Sequence, residues 1–221
     1  MAPIVLFDVN ETLIDLAPLR SEFAERFDGE IDVARWFSEL LRLSFVYAAT
    51  GAYAPFTKLA GNALVSVGAA SGIHVGPEDV AFVGARFRTL PAHPDAKLGL
   101  DALANNGAVV VAITNSPLDV ANDQLTNAGL SQPFDRILSV EAVRRFKPHA
   151  SVYAYAANEV GADAIDCVMV AAHDWDIAGA MIAGCTGVYI DRTGRPWTDA
   201  FAPPDRTATG IDEAAEWITR R

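Results

Sequence analysis

The sequence predicts an α/β protein with a doubly wound parallel sheet and an inserted helical cap. Three observations predict it: short apolar or β-branched runs recur along the chain, segments of helical spacing separate the later ones, and a long stretch after the first run is patterned only for helix. The length of 221 residues suits one large domain or a core carrying a smaller insertion. With 51% hydrophobic residues, 20% charged and a mean hydropathy of +0.19, the chain has ample apolar material for a dry core and does not read as disordered.

The first strand is expected at Ile4 to Phe7, an apolar run that stops at an acid. Helical spacing follows at Leu16 to Phe27, Val33 to Ala49, Phe56 to Ala70 and Pro77 to Leu90, joined by the turn-rich Phe27-Asp28-Gly29, Thr50-Gly51 and Gly72-Ile73-His74. Pro91 and Pro94 mark the return, so 15–90 is expected as the helical cap and 1–14 with 91–221 as the α/β core. Helix Asp95 to Asn106 then leads to strand Val109 to Ile113, and helix Pro117 to Ala128 to strand Ile137 to Val140. Helix Ala150 to Val160 precedes strand Val168 to Ala171, and helix Asp176 to Ala183 precedes strand Val188 to Ile190. Gly129, Gly161 and Gly184 stand where these helices should be capped.

Seventeen basic and 28 acidic residues give a net charge of −11, and no basic patch offsets it, so a nucleic-acid partner is not expected. The start, MAPIVLFDVNETL, lacks a basic leader, and no apolar run approaches the ~18 residues of a membrane span, so a cytoplasmic protein with no membrane partner is the default. Cys167 and Cys185 lie in apolar segments without zinc-site spacing and read as buried thiols.

Ligands of doubly wound sheets sit beyond the carboxyl ends of the strands, which makes the residues just past each run the functional candidates. Asp8 follows the first run; Thr114-Asn115-Ser116, Lys147-Pro148 and His173-Asp174-Trp175-Asp176 follow the next three. Asp8 alone could be no more than a helix cap. Four polar clusters on one edge argue for chemistry: a carboxylate is a competent nucleophile only when ionised and aimed, and a nearby ammonium such as Lys147 favours the ionised form.

The combination resembles the haloacid dehalogenase superfamily, over nearly the whole chain and with the helical cap in the matching place. The resemblance implies Asp8 as nucleophile, Thr114 as the hydroxyl that binds an oxygen of substrate or intermediate, Lys147 as the third-motif lysine and Asp176 as the fourth-motif acid. Two departures from the phosphatase pattern guide the branch: Asn10 stands where a second acid is usual, and Ala172 replaces one acid of the last motif. Each loss weakens a magnesium site, and no cofactor is expected. Arg144-Arg145-Phe146-Lys147-Pro148, Tyr153 and Trp175 look most like the L-2-haloacid dehalogenase branch.

That branch implies a short haloacid as the small-molecule partner and a homodimer as the assembly. It also sets Asn10, Phe37, Leu41, Phe56, Asn115 and Trp175 around the substrate, Phe56 serving either as pocket lining or as an ordinary aromatic of the cap core. The cap arginine that holds the substrate carboxylate in the family is Phe37 here, leaving Arg35, Arg42 or Lys58 as displaced cations or as solvated surface. Glu11 and His173 are further departures. Together they suggest an imidazole oriented by a carboxylate to activate water, although Glu11 could instead pair with Lys147 or cap the chain entering the lid. The expected activity is hydrolytic dehalogenation through an aspartyl ester, the alternatives being a magnesium-dependent phosphatase or an impaired binding protein.

Overall fold

A computed structural model describes residues 2–194 and 197–221. Six strands form one parallel sheet in the order β3-β2-β1-β4-β5-β6, with β1 (Ile4–Phe7) central between β2 (Val109–Thr114) and β4 (Cys167–Ala171). β3 is Arg136–Ser139, β5 is Thr186–Ile190 and β6 is Arg206–Ala208. Strands buried on both faces need continuous apolar runs, and Val5, Leu6, Phe7, Val110, Val111, Met169 and Val170 are fully enclosed.

Four helices separate β1 from β2: α1 (Leu19–Arg26), α2 (Val33–Thr50), α3 (Phe56–Ala70) and α4 (Pro77–Phe87). They carry an aromatic core of their own, in which Trp36 meets Phe23 at 5.4 Å and Phe87 at 6.0 Å and donates its indole N–H to the Ala60 carbonyl. Asp32 caps α2 by accepting from the Arg35 N–H (2.9 Å), and Gly51 ends it in the left-handed region. Two isolated bridges, Asn10 with Ile14 and Ile14 with Ala92, hold the chain that leaves β1 against the chain that returns from α4.

The remaining helices, α5 (Ala96–Asn105), α6 (Leu118–Asn127), α7 (Ala150–Asn158), α8 (Asp174–Ile182) and α9 (Ile211–Thr219), flank the sheet. The three glycines expected as caps all have positive φ. After α6 the Leu130 N–H returns to the Leu125 carbonyl (2.8 Å), the long bond that closes a glycine-capped helix. Val140 belongs to a single 3-10 turn rather than to β3, and α8 begins at Asp174, two residues earlier than its apolar spacing indicates. β6 and α9 were not anticipated: Arg206-Thr207-Ala208 is an edge strand with no apolar run to mark it.

Candidate active site

Parallel register brings the ends of β1, β2 and β4 to one level: Phe7 pairs with Ala112 and with Val170, and the Asp8 N–H extends the ladder to the Val170 carbonyl (3.1 Å). Asp8 therefore emerges where the strand order reverses, the crevice in which doubly wound sheets place their ligands. Its carboxylate is nearly enclosed and held from three sides. Lys147 Nζ reaches Oδ1 (3.1 Å), the Thr12 hydroxyl donates to Oδ2 (2.7 Å), and His173 Nδ1 lies 3.3 Å from Oδ2. Burial alone would raise its pKa, but the Lys147 ammonium, His173 and Thr12 outweigh burial and hold the carboxyl well below the usual range. Asp8 is ionised.

Lys147 is fully buried and bridges Asp8 to Asp176 Oδ2 (2.9 Å). Burial works against its charge, yet the two carboxylates keep its pKa above the ordinary lysine value. Asp176 is raised by burial and by the charge of Asp8, against the pull of Lys147, and it accepts a 2.6 Å bond from the Tyr153 hydroxyl. Tyr153 is itself pushed up by burial and by Asp176, so it stays a neutral donor. The Lys147 backbone N–H donates to Asn115 Oδ1 (3.0 Å), which ties the lysine loop to the end of β2.

Glu11 occupies a left-handed backbone conformation (φ 61°), uncommon for a residue with a side chain. The turn is pinned from behind: His93 Nε2–H donates to the Glu11 carbonyl (3.1 Å), and Arg192, paired with Asp95, donates to the Thr12 carbonyl (2.8 Å). Held this way, the Glu11 carboxylate meets His173 Nε2 at 2.9 Å. Of the roles open to Glu11, pairing with His173 is the one the geometry realises. Burial disfavours charge on His173, but Asp8 and Glu11 together raise its pKa to about 10, so the ring is an imidazolium at neutral pH. An imidazolium has no proton-accepting nitrogen, so a base role for His173 requires that the ring first give up a proton.

Phe37, Leu41 and Phe45 share one face of α2 by their four-residue spacing. Phe37 stacks on His173 (6.3 Å, 27°) and Phe45 meets Trp175 edge-on (5.0 Å), while Trp175 also flanks His173 at 5.1 Å. Phe56 packs on Phe146 and lines an apolar cavity of about 50 Å³ with Trp36, Leu64, Phe87, Ser116 and Val120, so it is both core aromatic and cavity wall. Arg35, Arg42 and Lys58 are exposed, and Arg42 is paired with Glu39; the displaced-cation expectation is not met by any of them. Asn10 is committed at both ends of its amide, to Ser116 Oγ (3.2 Å) and Gln124 Nε2 (3.0 Å). Thr114 Oγ1 accepts from the Ser116 N–H (3.1 Å) and retains its own hydroxyl proton as a donor.

Thr12 was missed. Its hydroxyl donates to Asp8 and accepts from the Ala172 N–H (2.9 Å), joining the ends of β1 and β4. A hydroxyl four residues past a strand-end acid was the available signal. A divalent cation does not fit this donor set, because the Lys147 ammonium already fills the space between Asp8 and Asp176, Asn10 and Ala172 supply no carboxylate, and Asp174 is turned onto the Trp175 N–H.

A parallel α/β sheet with an aspartate at the crevice, braced by a buried lysine beneath a helical insert, is a site fit for nucleophilic attack by a carboxylate. The family model for haloacid dehalogenase-like hydrolases matches residues 3–184, and the chain belongs to that family. It is 25% identical to (S)-2-haloacid dehalogenase H-109 of Pseudomonas putida over 99% of both chains. It is 29% identical to the (S)-2-haloacid dehalogenase of Xanthobacter autotrophicus over 87% of this chain and 76% of that protein. The crystal structure of the L-2-haloacid dehalogenase RSc1362 superposes with a TM-score of 0.93 at 25% identity, covering 98% of each chain.

Proposed function

We propose that the protein hydrolyses short 2-haloalkanoic acids to 2-hydroxy acids through a covalent ester on Asp8. The observation that carries this reading is the Asp8 carboxylate held at the strand end by the Lys147 ammonium and the Thr12 hydroxyl, both of which favour its ionised form. An Asp8 oxygen attacks the halogen-bearing carbon from behind, the carbon–halogen bond breaks, and halide leaves with its electron pair. Asn115, Trp175 and the aromatic face of α2 surround the departing halide, with the helical segment 15–90 acting as the cap that excludes water. Water then adds to the Asp8 carboxyl carbon, the Thr114 hydroxyl serving the developing oxyanion, and the ester collapses to hydroxy acid and free Asp8. His173, oriented by Glu11, receives the proton of that water.

The fourth-motif acid, Asp176, fixes Lys147 rather than attacking. The buried free thiols at Cys167 and Cys185 suit the reducing cytoplasm, and the described residues contain no helix long and apolar enough to cross a membrane. A homodimer is the assembly this reading carries, to be checked by sedimentation.

Chloride release from 2-chloropropionate and from chloroacetate, measured with and without EDTA, tests the reading. Turnover unaffected by chelation and abolished in a folded Asp8→Asn protein is the expected outcome. Normal turnover by that variant ends the covalent mechanism, and inactivation by chelator with rescue by Mg²⁺ restores the phosphatase alternative.

A further inference from the structure

His173 lies between two carboxylates, and the proposed reaction consumes one of them. Its Nε2 is bonded to Glu11 at 2.9 Å, whereas Nδ1 faces Asp8 Oδ2 at 3.3 Å without an aligned hydrogen bond and is buried. Uncharged rings pack on the imidazole from the other elements, Phe37 from α2 and Trp175 from α8. The charged groups facing it are thus Asp8 and Glu11, with Lys147 behind Asp8 and balanced in turn by Asp176.

We propose that His173 releases its Nδ1 proton to solvent in the first half of the cycle, when Asp8 becomes an ester, and is armed as a base only by that event. The inference rests on the covalent reading above and adds when the proton leaves. Asp8 as a carboxylate supports the positive ring; Asp8 as an ester is neutral and withdraws that support, while burial continues to disfavour the charge. Glu11 keeps Nε2 protonated and oriented, so Nδ1 is the nitrogen that empties. The ring as a whole is 13% exposed while Nδ1 itself is buried, so the proton leaves by relay through the crevice rather than directly into bulk water.

The steps balance. In the first, Asp8 carboxylate and haloacid give ester and halide, and imidazolium gives imidazole and a solvated proton. In the second, water delivers hydroxyl to the Asp8 carboxyl carbon and its other proton to Nδ1. Collapse of the tetrahedral adduct yields Asp8 carboxylic acid and the alkoxide of the product, which exchange a proton to regenerate the carboxylate and form the hydroxy acid. The sum is haloacid plus water to hydroxy acid, halide and one proton, with that proton leaving entirely in the first step and the imidazolium restored in the second.

Two measurements test this on the whole protein. Nitrogen NMR of histidine-labelled protein, with the His173 signals assigned by their loss in His173→Asn, should show a cationic ring at neutral pH in the wild type. In Asp8→Asn, whose amide is neutral as the ester is, the titration midpoint should fall by about two pH units or more. A neutral ring in the wild type, or an unmoved midpoint in Asp8→Asn, overturns the proposal. Stopped-flow proton release in weak buffer, with enzyme in excess over 2-bromopropionate and the Asp8 adduct followed by quenched-flow mass spectrometry, should give about one proton per ester at the rate of ester formation. In His173→Asn the proton should appear only as the ester is hydrolysed. Wild-type release that tracks hydrolysis sinks this inference and leaves the covalent reading intact; absence of any adduct on Asp8 sinks both.

Discussion

Thr12 illustrates how one small side chain sets the state of the centre. Its hydroxyl donates to Asp8 and accepts the Ala172 N–H, so replacement by valine leaves a half-buried backbone donor unpaired and removes one bond to the nucleophile. Thr12→Val should lose about 1–3 kcal/mol of stability and most of the activity, whereas Thr12→Ser should retain both. Denaturation midpoints and initial rates of halide release check this, and equal behaviour of the two variants refutes the hydroxyl's role. The charged pairs at the same centre predict a pH window. The pKa of His173 is raised from 6.5 to about 10 by folding, so its contribution is full below the unfolded value and is lost as pH rises through the folded one. Asp8 is lowered, so its contribution is present above the unfolded carboxylate value and is lost as pH falls through the depressed folded value. Melting temperature should therefore decline between neutral pH and about pH 10, and His173→Asn should flatten that alkaline limb. An unchanged limb would show that His173 is not charged in the native state.

Elements place these groups through close packing. α8 carries Asp176 on its first turn and reaches Pro148 and Tyr153 only because residue 179 has no side chain. A Cβ there would meet the Pro148 ring and stand 2.9 Å from the Tyr153 hydroxyl, so Gly179→Ala must push α8 off the lysine loop. The separation stretches the Tyr153–Asp176–Lys147 chain, and an expected result is a fall in kcat of about 10²-fold with far-UV circular dichroism unchanged. Wild-type kcat would mean that the loop yields without disturbing Lys147. The turn that carries Glu11 shows the complementary device, a strained backbone held by outside donors. His93 comes from the chain's return out of the insert and Arg192 from just beyond β5, so a local conformation is set by two distant segments.

Over the whole molecule the net charge of −11 opposes the approach of an anionic haloacid. Within the centre, Lys147 and His173 carry two positive charges against those of Asp8, Asp176 and Glu11, so the local field does not cancel the global one. Screening grows as the Debye length falls to about 10 Å at moderate ionic strength, and kcat/KM should rise several-fold with added sodium sulfate while kcat holds. A fall instead would reveal a positive entry path outweighing the net charge.

The sequence alone determined the sheet's five main strands, the insertion after β1 and the edge on which Asp8 and Asn115 stand, because buried parallel strands demand apolar runs and each of these runs ends where the polar residues begin; Lys147, well past β3, and Asp176 were placed there by the family resemblance. Glu11 and His173 came into view only against the family resemblance, as departures from its usual residues at those two places. β6 escaped, because an edge strand with one buried residue of three leaves no periodic trace. Thr12 escaped for a related reason: its importance lies in bonds to residues at the ends of two strands far apart in the chain. The tertiary structure alone decided the charge on His173, because that charge depends on two carboxylates lying within 3.3 Å of one buried ring, a distance set by strand register and by the pinned turn at Glu11.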